Sequence, residues 1–292
     1  MSEVKVLVIT GYGTNCERES AFAAKQAGAD QVDIYFFSDL VAEKCFLSDY
    51  NFLIFPGGFL DGDDLGAAQA AALRWKYTRT RSGISLQDEL QKFYSSGKLI
   101  LGICNGFQLL VKLGLLPAID NNYFQRQVSL SYNDSTHFED RWIHLKCNQN
   151  SPCIFTKGLD YLYLPVRHGE GKVVVKDEYV LKKLKEDNLI ALQYIHPETR
   201  EPTQEYPHNP NGSPLAIAGL TDPSGHILGL MPHPEAYNHP TNHPGWTRNL
   251  TATLGTELIA NGVKYLRTQL SEFRKLRNSK SEYRNPKQIR IF

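Results

Sequence analysis

The sequence predicts an α/β fold: an open, mostly parallel sheet with helices on both faces and added antiparallel strands. Two observations predict it. Over the first 120 residues short β-branched runs alternate with helical segments, the order that builds a parallel sheet through crossover connections. After Pro117 the alternation lapses, and short strand-like runs follow one another with few helices between them.

Val4–Thr10 is a β-branched run that stops at Gly11-Tyr12-Gly13, which reads as a buried strand and a tight loop. Glu17–Gly28 is Ala-rich, follows Thr14-Asn15 as N-cap candidates and ends in Gly, so it reads as a helix. Val32–Phe37 and Phe52–Phe55 are the next strands, the latter halted by Pro56-Gly57-Gly58. Leu86–Tyr94 is a helix, Lys98–Ile103 a strand, and Asn105–Leu113 a helix closed by Gly114. Then come Gln127–Leu130, Trp142–Cys147, Tyr161–Pro165, Lys172–Val175 and Ile190–Tyr194 as short strands. Tyr206–Pro214 is a Pro/Asn/Gly loop. Leu215–Leu220 and Ile227–Met231 form a hairpin across Asp222-Pro223-Ser224-Gly225, and Val263–Arg277 is helical.

The 292 residues carry 32 Lys+Arg against 31 Asp+Glu and are 41% hydrophobic, values of an ordinary globular chain rather than a disordered one. The near-zero charge argues against a nucleic-acid binder. Five cysteines without a C-x-x-C pair exclude a small disulfide scaffold and favour a reducing compartment. No apolar run reaches the length of a membrane span, and the start reads as a strand rather than a signal peptide. A cytoplasmic chain with no membrane contact is expected.

The strongest chemical feature is Gly102-Ile103-Cys104-Asn105-Gly106, set between a strand and a helix. This is the G-x-nucleophile-x-G elbow with Cys as nucleophile. Small flanking residues permit the sharp turn, the helix N-terminus favours thiolate, and the Asn105 N–H is free to face an oxyanion. The plain alternative, a packed cysteine at a strand end, explains neither glycine. A nucleophilic thiol needs a base and a group to orient it. In Met231-Pro232-His233-Pro234-Glu235 a strand delivers His233 to a proline-stiffened turn, with Glu235 in reach of the imidazole. His168, in His168-Gly169-Glu170-Gly171, has the same carboxylate offset, and periodicity does not choose between the two. Metal binding by His233, His239 and His243 is disfavoured, since they lie on a Pro-rich loop without helical spacing. Pro56-Gly57-Gly58-Phe59 follows a strand and offers backbone N–H groups to a ligand.

These segments resemble the triad-type (class I) glutamine amidotransferases, with their flavodoxin-like fold. Within that family the chain is most similar to the glutaminase subunits of phosphoribosylformylglycinamidine synthase. The resemblance spans roughly residues 4–250. It rests on Gly11-x-x-Thr14-Asn15-Cys16-Glu17, Pro56-Gly-Gly-Phe59 with Gly62-Asp63, Gly102-Ile-Cys-Asn-Gly-Phe-Gln108, Pro165-x-x-His168-Gly-Glu-Gly171, Asn211-Gly-Ser-Pro214 followed by Ala218-Gly-Leu-Thr221, and Gly229-Leu-Met-Pro-His-Pro-Glu235.

The resemblance implies a Cys104–His233–Glu235 triad that hydrolyses glutamine through a cysteinyl thioester. It implies that Gly58 and Asn105 form the oxyanion hole, and that Gly57, Phe59 and Gln108 contribute to the glutamine site. Asn15, His168 and Glu170 become subfamily residues, and Cys16 a packed loop cysteine. It implies no cofactor or metal in this chain. ATP and Mg belong to a partner synthetase subunit, with a small accessory subunit as an optional third. The alternatives are service to a different synthetase, or a non-catalytic scaffold. Leu60-Asp61 stands where the family usually has Ser-Tyr, and Glu17 where it has Asp.

The chain is expected to divide into an amidotransferase domain over 1–262, with insertions near 75–86 and 175–207, and a C-terminal helix and basic tail over 263–292. Lys264–Phe292 holds nine Lys and Arg against Glu272 and Glu282, a solvated end or a dock for an acidic partner.

Overall fold

The computed structural model describes residues 3–282, with side chains through Glu272. Five parallel strands form half of the main sheet: β1 (Lys5–Thr10), β2 (Gln31–Phe36), β3 (Phe52–Phe55), β4 (Leu99–Ile103) and β11 (Ile227–Leu230), in the order β2-β1-β3-β4-β11. Antiparallel strands continue it: β10 (Ile217–Thr221), β9 (Ile190–Tyr194), β6 (Glu139–Cys147) and β7 (Tyr161–His168). A separate two-stranded ribbon pairs β5 (Val128–Tyr132) with β8 (Glu170–Val175).

The helices are α1 (Glu17–Gln26), α2 (Phe37–Val41), α3 (Gln69–Tyr77), α4 (Leu86–Ser95), α5 (Asn105–Leu113), α6 (Glu178–Glu186) and α7 (Thr256–Glu282). The central strands β3 and β4 are buried along their whole length, as expected of strands covered on both faces. Helix α5 is the core helix. Phe107, Leu109, Leu110, Val111 and Leu113 are buried, and Gly114 terminates it with a left-handed φ of 74°.

Three helices were not expected from sequence. In α6 only Val180 and Leu184 are buried, too narrow a stripe to stand out, although Asp177 caps it by accepting from the Val180 N–H at 2.9 Å. The alanines of α3 blunt its polar–apolar contrast, and α2 follows β2 without a break.

The expected domain limits need correction. The boundary at 263 falls inside α7, whose Leu258, Ile259, Val263 and Leu266 are buried in the main core. The stretch near 75–86 opens on Trp75, which is fully buried with its ring edge-on to Phe37 and Phe55 at 5.3 and 5.4 Å. Only its turn, 78–85, is superficial. The stretch 175–207 contains β9, an integral strand between β10 and β6. Arg267, counted with the basic tail, is tied to the body through Gly28 O and Asp30. The rest of the tail, 283–292, lies outside the described residues. Among the described residues no helix is long and apolar enough to cross a membrane.

Candidate active site

The carboxyl ends of β1, β3, β4 and β11 face one way, because these strands are parallel neighbours. An open α/β sheet places its ligand crevice at that edge. Here the loops after β1 and β3, the elbow after β4, the turn after β11 and the β7–β8 turn surround a cavity of about 340 Å³.

Cys104 stands between β4 and α5 with φ 52° and ψ −103°, a conformation that non-glycine residues rarely adopt. The surroundings enforce it. Its N–H donates to Leu230 O at 2.8 Å, and its carbonyl accepts from the Gln108 N–H at 3.1 Å as α5 begins. The glycines on either side are required by close approach. A methyl at Gly106 would lie 2.0 Å from Phe55 O, and one at Gly102 2.7 Å from Gly106 O. The strained turn pushes the thiol into the cavity at the positive end of α5.

His233 follows β11 and is fully buried. Its N–H donates to Pro165 O at 2.8 Å, tying the turn to β7. Nδ1 donates to Glu235 Oε1 at 2.6 Å, so the Nε2 lone pair is the one left to accept the thiol proton. Burial works to lower the His233 pKa, but the Glu235 carboxylate and Cys104 outweigh it and hold the imidazole well above its ordinary value. A thiol, a buried imidazole and a carboxylate, those of Cys104, His233 and Glu235, are thus brought together at one edge of the sheet.

The two histidines differ in their surroundings. His168 is fully buried at the end of β7, and its Nδ1 lies 3.0 Å from Asn133 Oδ1. Burial, with the nearby His233 charge, depresses its pKa to about 3. A neutral imidazole of that acidity is a poor proton acceptor. Asn133 fixes the whole turn, since Nδ2 donates to His137 O and His168 O while Oδ1 also accepts from the Gly171 N–H. His168 is thus a wall of the cavity.

A stability consequence follows. The unfolded His168 takes up a proton near its ordinary pKa, about 6.5, while the folded one does not until about pH 3. Stability conferred by the neutral ring is full above that ordinary value and is lost as pH falls toward 3. Melting of His168→Gln between pH 7 and 4 should be less pH-dependent than wild type. Parallel curves would contradict this.

Two backbone N–H groups near the thiol, those of Gly58 and Asn105, differ from their neighbours. Phe59 N–H donates to Gly13 O at 2.8 Å and Asn15 N–H to Gly57 O at 3.4 Å, a bridge in which the Gly58 N–H takes no part. Gly58, with φ 141°, lines the cavity. The Asn105 N–H is the first of α5 and has no intrahelical acceptor.

The other expected site residues have different places. Gly57 sits behind the thiol: a methyl there would lie 2.7 Å from the His233 ring, 3.3 Å from Cys16 Sγ and 3.5 Å from Cys104 Cβ. Phe59 is half-exposed on the cavity wall. The Asn105 side chain accepts from the Leu60 N–H at 3.0 Å and donates to Gln108 Oε1 at 2.9 Å. Gln108 in turn donates to Glu170 O at 2.6 Å. Both ends of the Gln108 amide are thus engaged in bracing the wall. Asn15 and Glu170 line the cavity, and Glu170 Oε2 accepts from the Ala67 N–H at 3.1 Å.

Sequence reasoning missed Cys16, Asp63 and Arg167 as cavity residues. Cys16 and Asp63 lie on loops after parallel strands, and that position was the available signal. Burial raises the Cys16 thiol pKa, against a lowering contact with His233. Donor atoms of Cys16, His233 and Glu235 lie within 4.8 Å of one another, so the one metal-competent cluster among the described residues shares His233 and Glu235 with the catalytic candidates and takes Cys16 in place of Cys104. His243 instead packs on Tyr163 at 5.2 Å, and His239 Nδ1 lies 2.8 Å from Thr241 Oγ1.

Residues 3–266 match the CobB/CobQ-like glutamine amidotransferase domain family. A phosphoribosylformylglycinamidine synthase subunit PurQ from Methanococcus maripaludis is 45% identical over 240 residues, covering 82% of this chain and 85% of the relative. The chain belongs to the PurQ family of glutamine amidotransferases. A second PurQ, from Dehalococcoides mccartyi, is 38% identical over 269 residues, 91% of this chain and 99% of that one. Among solved structures, PurLQS from Thermotoga maritima superposes with a TM-score of 0.65 at 26% identity, covering 90% of this chain and 99% of that one. The PurQ fold therefore accounts for the chain from the first strand into α7.

Proposed function

We propose that this chain is the glutaminase subunit of phosphoribosylformylglycinamidine synthase in purine biosynthesis. It hydrolyses glutamine to glutamate and ammonia and passes the ammonia to a synthetase subunit. The observation that carries the reading is Cys104 on its strained elbow, beside a buried His233–Glu235 pair and the free Gly58 and Asn105 amides. The names of the PurQ relatives, and the PurLQS title of the solved neighbour, support this synthase over another.

His233 Nε2 takes the Cys104 proton, and the thiolate attacks the side-chain amide carbon of glutamine. The oxyanion is held by the Gly58 and Asn105 N–H groups. His233 returns the proton to the departing nitrogen, which leaves as ammonia, and a γ-glutamyl thioester remains. Water, deprotonated by His233, releases glutamate and restores the thiol. Glu235 keeps the imidazole in the required tautomer throughout.

ATP and Mg act on the partner subunit, which converts formylglycinamide ribonucleotide to the amidine. The five cysteines, all free thiols, support a reducing cytoplasmic location. Pull-down with this chain as bait, followed by amidine synthesis from glutamine by the recovered complex, tests the proposal. Recovery of an ATP-dependent synthetase and glutamine-driven synthesis are expected. Capture of a different synthetase, or a complex that never uses glutamine, would contradict it.

A further inference from the structure

Cys16 takes no part in the hydrolysis, yet it shares the cavity with Cys104 and bears on the same imidazole. The two thiols are similarly placed. Cys16 is the N-cap residue of α1 and Cys104 that of α5, so the positive end of a helix favours thiolate at each. Gly57 marks where they converge. A methyl on it would lie 2.7 Å from His233 Cε1, 3.3 Å from Cys16 Sγ and 3.5 Å from Cys104 Cβ. His233 Nε2 is buried and makes no hydrogen bond. Glu235 already holds Nδ1 at 2.6 Å, the outer-carboxylate arrangement that orients imidazole ligands of zinc. Donor atoms of Cys16 and His233 lie within 4.8 Å of each other, and the cavity gives an ion a path to them.

Thiolate and imidazole donors select zinc over magnesium or calcium. We infer that Cys16 Sγ, Cys104 Sγ and His233 Nε2 form a binding site for Zn²⁺, with water in the fourth position and Glu235 as the outer partner. A tetrahedral site with one open position is ordinary for zinc. Both thiol protons leave to solvent as the metal coordinates, and Nε2 gives it a lone pair. A zinc ion so held occupies nucleophile and base together, and so it blocks hydrolysis. The block rests on the glutaminase reading above; the binding of the ion does not.

Cobalt and zinc titrations of the metal-free full chain test the site, alongside ammonia release from glutamine by the complex with its synthetase subunit. Cobalt should bind wild type with a thiolate-to-metal charge-transfer band, and zinc should displace it. Cys16→Ser and Cys16→Ala should each lose part of that band. Glu235→Gln should weaken zinc binding roughly 10- to 100-fold, the effect of losing an outer partner, and both Cys16 variants should weaken it by more. Zinc should raise the melting temperature of wild type, and raise that of either Cys16 variant less. Zinc should stop ammonia release by the wild-type complex, a chelator should restore it, and magnesium should leave it unchanged. Half-inhibition of the Cys16 variants should need more zinc by the same factor as their dissociation constants rise. A cobalt spectrum without the thiolate band, or zinc affinity unchanged in both Cys16 variants, would overturn the site. Full ammonia release at saturating zinc would overturn the block. A metal-free complex that releases no ammonia would overturn the glutaminase reading instead, with the band and the melting shift still deciding the site.

Discussion

Replacing Cys104 with Ala should leave a complex that makes the amidine from added ammonia at the wild-type rate and makes none from glutamine. The thiol is the group that forms a bond to the substrate, and no other residue supplies that bond. Cys16 shares the cavity, but burial raises its pKa and its Sγ donates to Asn15 Oδ1 at 3.1 Å. It also lies outside the elbow that aims Cys104 from the N-terminus of α5. Ala keeps a Cβ at the strained position and the same elbow hydrogen bonds, so docking on the partner should survive. Parallel assays with glutamine and with an ammonium salt check this. Loss of both activities would mean that Cys104 supports the complex rather than the hydrolysis.

The second large effect concerns Glu235. Glu235→Gln is nearly isosteric, yet it removes the charge that offsets the burial penalty on His233. With the cysteines left to oppose burial alone, the imidazole pKa should fall from its raised value, and the catalytic cation loses its main stabiliser. A buried Asp-to-Asn change in the analogous role costs about 10⁴ in kcat in the serine-protease triad. A fall of about 10²–10⁴ in glutamine-dependent kcat is therefore expected, with ammonia-dependent synthesis intact. NMR titration of the His233 ring supplies the second readout. An unchanged imidazole pKa alongside full activity would show that Glu235 has no electrostatic role.

The sequence made the parallel half of the sheet legible because β3 and β4 are continuous apolar runs bounded by Pro-Gly-Gly and by the elbow. Phe52–Phe55 and Asn105–Leu113 were placed to the residue. Helices α3 and α6 were not, since an alanine run and a two-residue apolar stripe leave little periodicity. The proposed triad was readable because its residues sit on motifs with a backbone reason: glycines that permit the elbow, prolines that stiffen the His233 turn. The choice between His233 and His168 was not readable. Both have a carboxylate two residues on, and only the fold shows that Glu235 meets its histidine while Glu170 is turned to Ala67 N–H and Asn133 holds His168. The roles of Gly57 and Gln108 were equally hidden. One is a spacer against the imidazole and the other a brace between α5 and β8, and both depend on contacts across the chain.

The central claim is that glutamine is hydrolysed through a covalent bond to Cys104. Acid quenching of the complex during glutamine turnover, followed by proteolysis and mass spectrometry, tests it directly. A γ-glutamyl adduct on the peptide that carries Cys104, absent in Cys104→Ala, is the expected result. Steady ammonia release with no adduct on Cys104, or an adduct on Cys16 instead, would contradict the account.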